Sequence, residues 1–162
     1  MSRTLSLLIG LSLIGSTMLL PAGELTTKKS LNLAAVKTMV AAAEAEAKNR
    51  KVDVTICIVD ENANVIFLQK GDRAGTNTLQ YAQKKARHSA LYGAPSKNAA
   101  DQLKNGDISV LIRPEAFPNQ GGLPIKVDGQ TIGGISASGA ASEIDEAVAQ
   151  AGIDALLAWL KP

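Results

Sequence analysis

Gln120-Gly121-Gly122-Leu123-Pro124-Ile125-Lys126-Val127-Asp128-Gly129-Gln130-Thr131-Ile132-Gly133-Gly134-Ile135-Ser136-Ala137-Ser138-Gly139 is the stretch against which the rest of the chain can be laid. Its parts are a diglycine corner, an extended run, an Asp-Gly pair, a second extended run and a glycine-marked start of the last helix. Two extended runs joined by Asp-Gly predict a β-hairpin, because the two-residue turn needs positive φ and its twist matches that of the strands. Gly133-Gly134 inside the second run predicts a bulge, or a place where something packs against bare backbone.

Downstream, Ser142-Glu143-Ile144-Asp145 has the form of a capping box, with acidic residues in the first turn where the helix dipole favours them. Ile144, Val148, Ala151, Ala155 and Trp159 mark the expected buried stripe of this closing helix. Upstream, Glu115 to Gln120 is a loop, and Ile108 to Ile112 is a short apolar run expected to be an edge strand. Ser96 is placed to cap a short helix ending at Asn105-Gly106. Before it, a helix capped by Thr78 runs to about Gly93. At about 100° per residue, Leu79, Ala82, Ala86 and Ala90 line one side of it, and Tyr81, Lys85, His88 and Tyr92 line the other. Val52 to Asp60 alternates as a strand, Glu61 to Asn64 turns, and Val65 to Gln69 returns as a second strand. A first helix opens at Asn32, a good N-cap, and carries Leu33, Val36, Val40, Ala43 and Ala47 as its stripe. The order α-β-β-α-α-β-β-β-α implies an α+β fold, an antiparallel sheet of about five strands flanked by helices.

At the N-terminus, Arg3 precedes an apolar run from Leu5 to Leu20, which Pro21-Ala22-Gly23 breaks. That is the plan of a secretory signal peptide, too short for a comfortable membrane span, with Ala22 the expected last residue removed. Residues 1–23 are read as this leader and 24–162 as a single domain. The protein is then expected in the periplasm or outside the cell, with no membrane span after cleavage. Without Arg3 the chain keeps 16 of its 17 lysines and arginines against 15 acidic residues, a balance that argues against nucleic acid as a partner. Cys57 is the single cysteine, so no disulfide framework or thiolate metal site can be built within one chain. It is expected to lie buried in the sheet as a small apolar residue.

Hydrolase chemistry is excluded by composition. Gly134-Ile135-Ser136-Ala137-Ser138 misses the nucleophile elbow at its last position, and a Ser/His/Asp triad would have to recruit the lone histidine from mid-helix. One His and one Cys give no zinc spacing, and the acidic residues form no calcium loop. Gly121-Gly122 leads into a strand, whereas a phosphate loop leads into a helix. The chemically distinctive feature is the stripe Tyr81, Lys85, His88 and Tyr92. Two readings are open for it: a solvated or oligomer-forming face, since tyrosine suits interfaces, or a wall for a flat, apolar, anionic ligand such as haem. In the second, His88 is an axial iron ligand, the tyrosines stack, and Lys85 meets a propionate.

Several segments resemble the GlcG/HbpS-like family, often labelled haem-binding or haem-degrading. They are Leu31-Asn32-Leu33-Ala34-Ala35 with Ala41-Ala42-Ala43-Glu44-Ala45-Glu46-Ala47; Ile58-Val59-Asp60; Gly71-Asp72-Arg73-Ala74; Lys84-Lys85-Ala86-Arg87; Gly121-Gly122-Leu123-Pro124-Ile125; and Ser138-Gly139-Ala140-Ala141-Ser142-Glu143-Ile144-Asp145. The resemblance spans about Ser30 to Leu157. It implies an antiparallel sheet flanked by helices, homo-oligomers and, in some members, extracellular haem binding or redox sensing. Other members accompany glycolate or diol metabolism, and a related domain is fused to a corrinoid adenosyltransferase. The chain departs from the family at His88, where threonine is expected, and at Lys70-Gly71-Asp72-Arg73, where Arg-Met-Asp-Gly is commoner. Three functions follow as expectations. The first is an exported, homo-oligomeric protein binding haem or another tetrapyrrole in sensing or sequestration. The second is an enzyme or accessory module acting on a small organic acid or in a corrinoid pathway, with Gly121 and Gly122 holding a carboxylate. The third is a non-catalytic assembly module that dimerises through the stripe.

Overall fold

The computed structural model describes residues 26–161, so the leader expected at 1–23 lies outside the described residues. The elements run α1 (Leu33–Asn49), β1 (Thr55–Asp60), β2 (Val65–Lys70), α2 (Thr78–Tyr92), α3 (Ser96–Lys104), a 3-10 turn (Ile108–Ile112), β3 (Gly122–Val127), β4 (Gln130–Ser138) and α4 (Ser142–Trp159). The four described strands form one antiparallel sheet in the order β2-β1-β4-β3. The fold is α+β, and the hairpin predicted around Asp128-Gly129 is β3-β4. Its turn residues Asp128 and Gly129 take φ of 49° and 77°, the doubly positive pair of a type I′ turn.

The expected fifth strand is absent. Asp107 accepts hydrogen bonds from the backbone N–H and hydroxyl of Ser109, and Arg113 reaches back to both residues. That local closure winds Ile108–Ile112 into a 3-10 turn and leaves only Val110 of the run buried. Such side-chain-to-backbone bonds compete directly with a ladder.

The sheet separates two layers. On one side α1 and α4 pack together over Ile58, Ile125 and Ile135, with Val36, Met39, Val40, Ile153 and Leu156 filling the gap. On the other, Ala82, Ala86 and Ala90 of α2 lie on Cys57 and Val59. Cys57 is buried as expected, and burial pushes its thiol pKa up to about 12. The alanines permit a very close helix–sheet approach. A Cβ on Gly134 would stand 2.2 Å from the Ala86 carbonyl oxygen, and Ser136 donates its hydroxyl to the Ala82 carbonyl at 2.6 Å. Packing against bare backbone is thus the role of Gly134, and the ladder slips between Ile125 and Lys126, opposite Thr131 and Gly133.

Asn32 caps α1 by accepting from the Ala35 N–H. The other expected caps differ. Thr78, Ser96 and Ser142 are each the first helical residue, one place inside the cap. Their hydroxyls are free for tertiary bonds: Thr78 to Thr55 and Gly75, Ser96 to Asn119. Two stripes are also rotated from expectation. Leu33 and Trp159 are exposed, while Ala35 and Met39 in α1 and Ala149, Gly152 and Ile153 in α4 face inward.

Candidate functional site

Helix α2 carries every residue of the distinctive stripe, but the stripe is not one open face. Lys85 and His88 are buried, while Tyr81 and Tyr92 are 37% and 40% exposed. The buried face of α2 is centred on Lys85 and Ser89 as much as on the alanines. The opposite flank clasps the loop before β3. Arg87 forms a two-pronged ion pair with Glu115, both contacts at 3.0 Å, and donates to the Ala63 carbonyl. Tyr92 donates its hydroxyl to the Pro114 carbonyl at 2.6 Å. Tyr81 meets the Phe117 ring edge-on at 5.3 Å, and the Lys84 ammonium lies over the same ring.

His88 completes the clasp. Its Nδ1 accepts a hydrogen bond from the Phe117 backbone N–H at 3.1 Å, and its ring stacks on Tyr92 at 4.7 Å. Burial lowers its pKa, so the ring is neutral. A neutral imidazole whose Nδ1 accepts carries its proton on Nε2. Neither nitrogen then presents a lone pair to a metal. The placement therefore does not fit an axial iron ligand, whose Nδ1–H ordinarily donates to a neighbouring acceptor.

Lys85 is committed elsewhere. Its ammonium donates to the Asp145 carboxylate at 2.9 Å and to the Ala137 carbonyl at 3.2 Å, with side chains 2% and 3% exposed for the pair. The other Asp145 oxygen accepts from the Ala140 N–H at 3.0 Å. This pair ties α2 to the end of β4 and the start of α4, and it leaves Lys85 no freedom to meet a propionate. The diglycine corner exists to admit it. A Cβ on Gly121, which has φ of 119°, would lie 2.8 Å from the Lys85 ammonium nitrogen, and one on Gly122 would lie 2.4 Å from the Lys85 carbonyl oxygen. The Gly122 N–H is taken by Ser96 Oγ at 2.9 Å. Packed this closely against α2, the corner is not a carboxylate cradle.

Beside the ion pair lies a polar cleft of about 280 Å³ between the first turns of α2 and α4, with Lys85 and Asp145 at its inner wall. A smaller cavity of about 140 Å³ abuts His88, Tyr92, Val110 and Arg113. A third recess, of about 480 Å³, opens beside the C-terminal end of α1 and is rimmed by Lys48, Lys51 and Arg73. Among the described residues no group of three or more His, Cys, Asp or Glu side chains could hold a metal ion, and no helix is long and apolar enough to cross a membrane.

Reading the sequence alone missed Asp145, Arg87 and Phe117 as partners of the stripe. Asp145 was legible only as a dipole-stabilising acid in a first turn. Its pairing with Lys85 spans 60 positions and has no local signal.

The family described as haem degrading protein HbpS-like matches residues 31–154. Protein GlcG of Escherichia coli K12 is 29% identical over 112 residues, 69% of this chain and 84% of GlcG. The crystal structure of HbpS superposes with a TM-score of 0.74 at 30% identity, covering 90% of this chain and all of HbpS. PduOC, solved as a haem complex, superposes with a TM-score of 0.72 at 24% identity, covering 78% of this chain and 95% of PduOC.

Proposed function

The chain belongs to the HbpS-like family, and from that premise we propose that it is an exported, homo-oligomeric protein that binds haem or a related tetrapyrrole, in sensing or sequestration. The observation that carries the reading is an apolar ridge beside the His88–Tyr92 stack. Ile108, Leu111 and Ile112 are 73%, 61% and 85% exposed on the 3-10 turn, and their neighbour Val110 shares a cavity with His88 and Tyr92. A cluster of bare aliphatic side chains is what a flat apolar ring covers favourably, at about 25 cal/mol per Å² removed from water. PduOC, which shares this fold, is a haem complex, and that supports the ligand class.

On this reading, His88 sits beneath the ligand as part of the loop clasp and not on its iron. Bound haem would supply a redox-active iron and a visible spectrum; this chain supplies apolar and tyrosine contacts. A ridge covers only one face of a planar ligand, and a second copy of the chain supplies the other.

A haem titration followed at the Soret band tests it. The wild-type protein is expected to shift the band. Leu111→Ser/Ile112→Ser is expected to weaken binding about 10-fold or more, the effect of losing roughly 1.4 kcal/mol of apolar contact. His88→Ala is expected to leave the band position unchanged. Equal affinity in the ridge variant would sink the ridge as the site. A displaced band in His88→Ala would show instead that the imidazole ligates iron after releasing Phe117.

A further inference from the structure

We propose that the recess beside the C-terminal end of α1 binds an amphiphilic monocarboxylate, an apolar body carrying one carboxylate. The recess lies between α1, β1 and the chain that follows β2, and it shares no lining residue with the cavity beside His88. Ile108, Leu111 and Ile112 of the ridge do not line it either, so the proposal stands independently of haem binding.

The floor of the recess is apolar. Ala47, Val54 and Ile56, buried members of the core cluster under the end of α1, line it together with half-buried Val52. An apolar ligand body laid there extends that cluster and leaves water with it. The volume of about 480 Å³ falls within the range of about 300–1,000 Å³ common to small-molecule sites.

The rim is cationic. Lys48, Lys51 and Arg73 line it alongside Glu44 and Asp53, three positive charges against two negative. Both carboxylates are engaged: Glu44 accepts from the Gln69 amide at 2.6 Å, and Asp53 pairs with Arg73 at 2.8 Å. Lys48 and Lys51 have no ion-pair partner among the described residues. The C-terminal end of α1 offsets about half a charge. What remains suits a single carboxylate and not a polyanion.

Lys51 supplies a second and independent observation. α1 ends in a Schellman motif, in which the Val52 N–H donates to the Ala47 carbonyl and the Lys51 N–H to the Lys48 carbonyl, both at 3.0 Å. The motif needs a left-handed residue where Lys51 stands, and its φ is 57°. Glycine is the usual occupant, and Gly93 fills the equivalent role at the end of α2 with φ of 58°. A lysine at this place strains the backbone, and among the described residues its ammonium gains no hydrogen bond or ion pair in return. Strain retained without a structural return points to a use for the side chain, and that side chain lines the recess.

Amide chemical shifts of the purified protein test the assignment. Sodium hexanoate is the probe, with hexan-1-ol (the body without the charge) and sodium acetate (the charge without the body) as controls. Hexanoate is expected to give saturable shifts at Ala47, Val52 and Val54, with a Kd of about 1 mM or below. Each control is expected to bind about 10-fold more weakly. Lys51→Gly is expected to raise the urea midpoint by relieving the strain, and to weaken hexanoate about 3- to 5-fold, the share of one exposed charge. Lys48→Gln/Lys51→Gly is expected to weaken it about 10-fold. A more stable variant that binds worse separates a ligand contact from a merely structural role. Hexanoate affinity unchanged in the double variant, hexan-1-ol binding as tightly as hexanoate, shifts centred outside the recess, or a lowered midpoint in Lys51→Gly would each overturn the proposal.

Discussion

At Gly134 the chain has room for a hydrogen and nothing larger. A methyl group there would stand 2.2 Å from the Ala86 oxygen and 3.0 Å from the Ala90 nitrogen, both backbone atoms that can move only with α2. Gly129 offers a contrast within the same hairpin. It has φ of 77° and nothing within 4 Å of the missing Cβ, so only its backbone conformation resists a side chain. Gly134→Ala is accordingly expected to lose about 3 kcal/mol or more, the upper range of overpacking. Gly129→Ala should lose only about 1 kcal/mol, the strain of an L-residue at positive φ. Urea denaturation of the two variants measures the difference, and equal losses would mean that α2 does not sit on bare backbone. Lys85 makes a similar point through charge. Removing one member of so buried a pair leaves the other charge unpaired.

Helix α2 is the element where stability and pH meet. Its outer flank holds the loop before β3 through Arg87, His88 and Tyr92, and the His88 bond requires a neutral ring. Burial depresses the His88 pKa below its ordinary 6.5. Above that value neither state is protonated and the folded form keeps its full stability. As pH falls below it, the unfolded chain takes up a proton that the folded ring refuses, so stability declines until the folded pKa is passed. Lowering the pH from about 7.5 to about 5 should therefore lower the urea midpoint, and His88→Gln should flatten that dependence. A wild-type midpoint that holds or rises over this range would contradict the neutral, accepting imidazole. The 3-10 turn is the other element of consequence, because it presents outward the apolar side chains that an edge strand would have shared with the sheet.

Over the whole molecule, the apolar surface is unevenly spread. Val65, Ile66 and Leu68 are exposed along edge strand β2, and Ile108, Leu111 and Ile112 are exposed on the turn. An open apolar edge is a surface that soluble proteins normally cover. Light scattering on the purified protein is expected to give a mass of more than one copy. Charged substitutions, Val65→Lys with Ile66→Glu, are expected to lower that mass if copies meet along β2. A wild-type mass of one copy would remove homo-oligomerisation, and with it the second wall proposed for a planar ligand.

The sequence by itself determined the hairpin, the α+β order of elements, the Asn32 cap, the buried Cys57 and the family. Each of these depends on residues close together in the chain: alternation over six or so positions, an Asp-Gly turn, a side chain three residues from the N–H it caps. The tertiary structure alone decided what the helix stripe does. Lys85 finds Asp145, His88 finds the Phe117 N–H, and Arg87 finds Glu115 across 60, 29 and 28 positions respectively. No local pattern encodes such distant partners. The diglycine corner shows the same division. Its glycines announced close packing, but only the folded chain revealed that they make room for a buried ion pair.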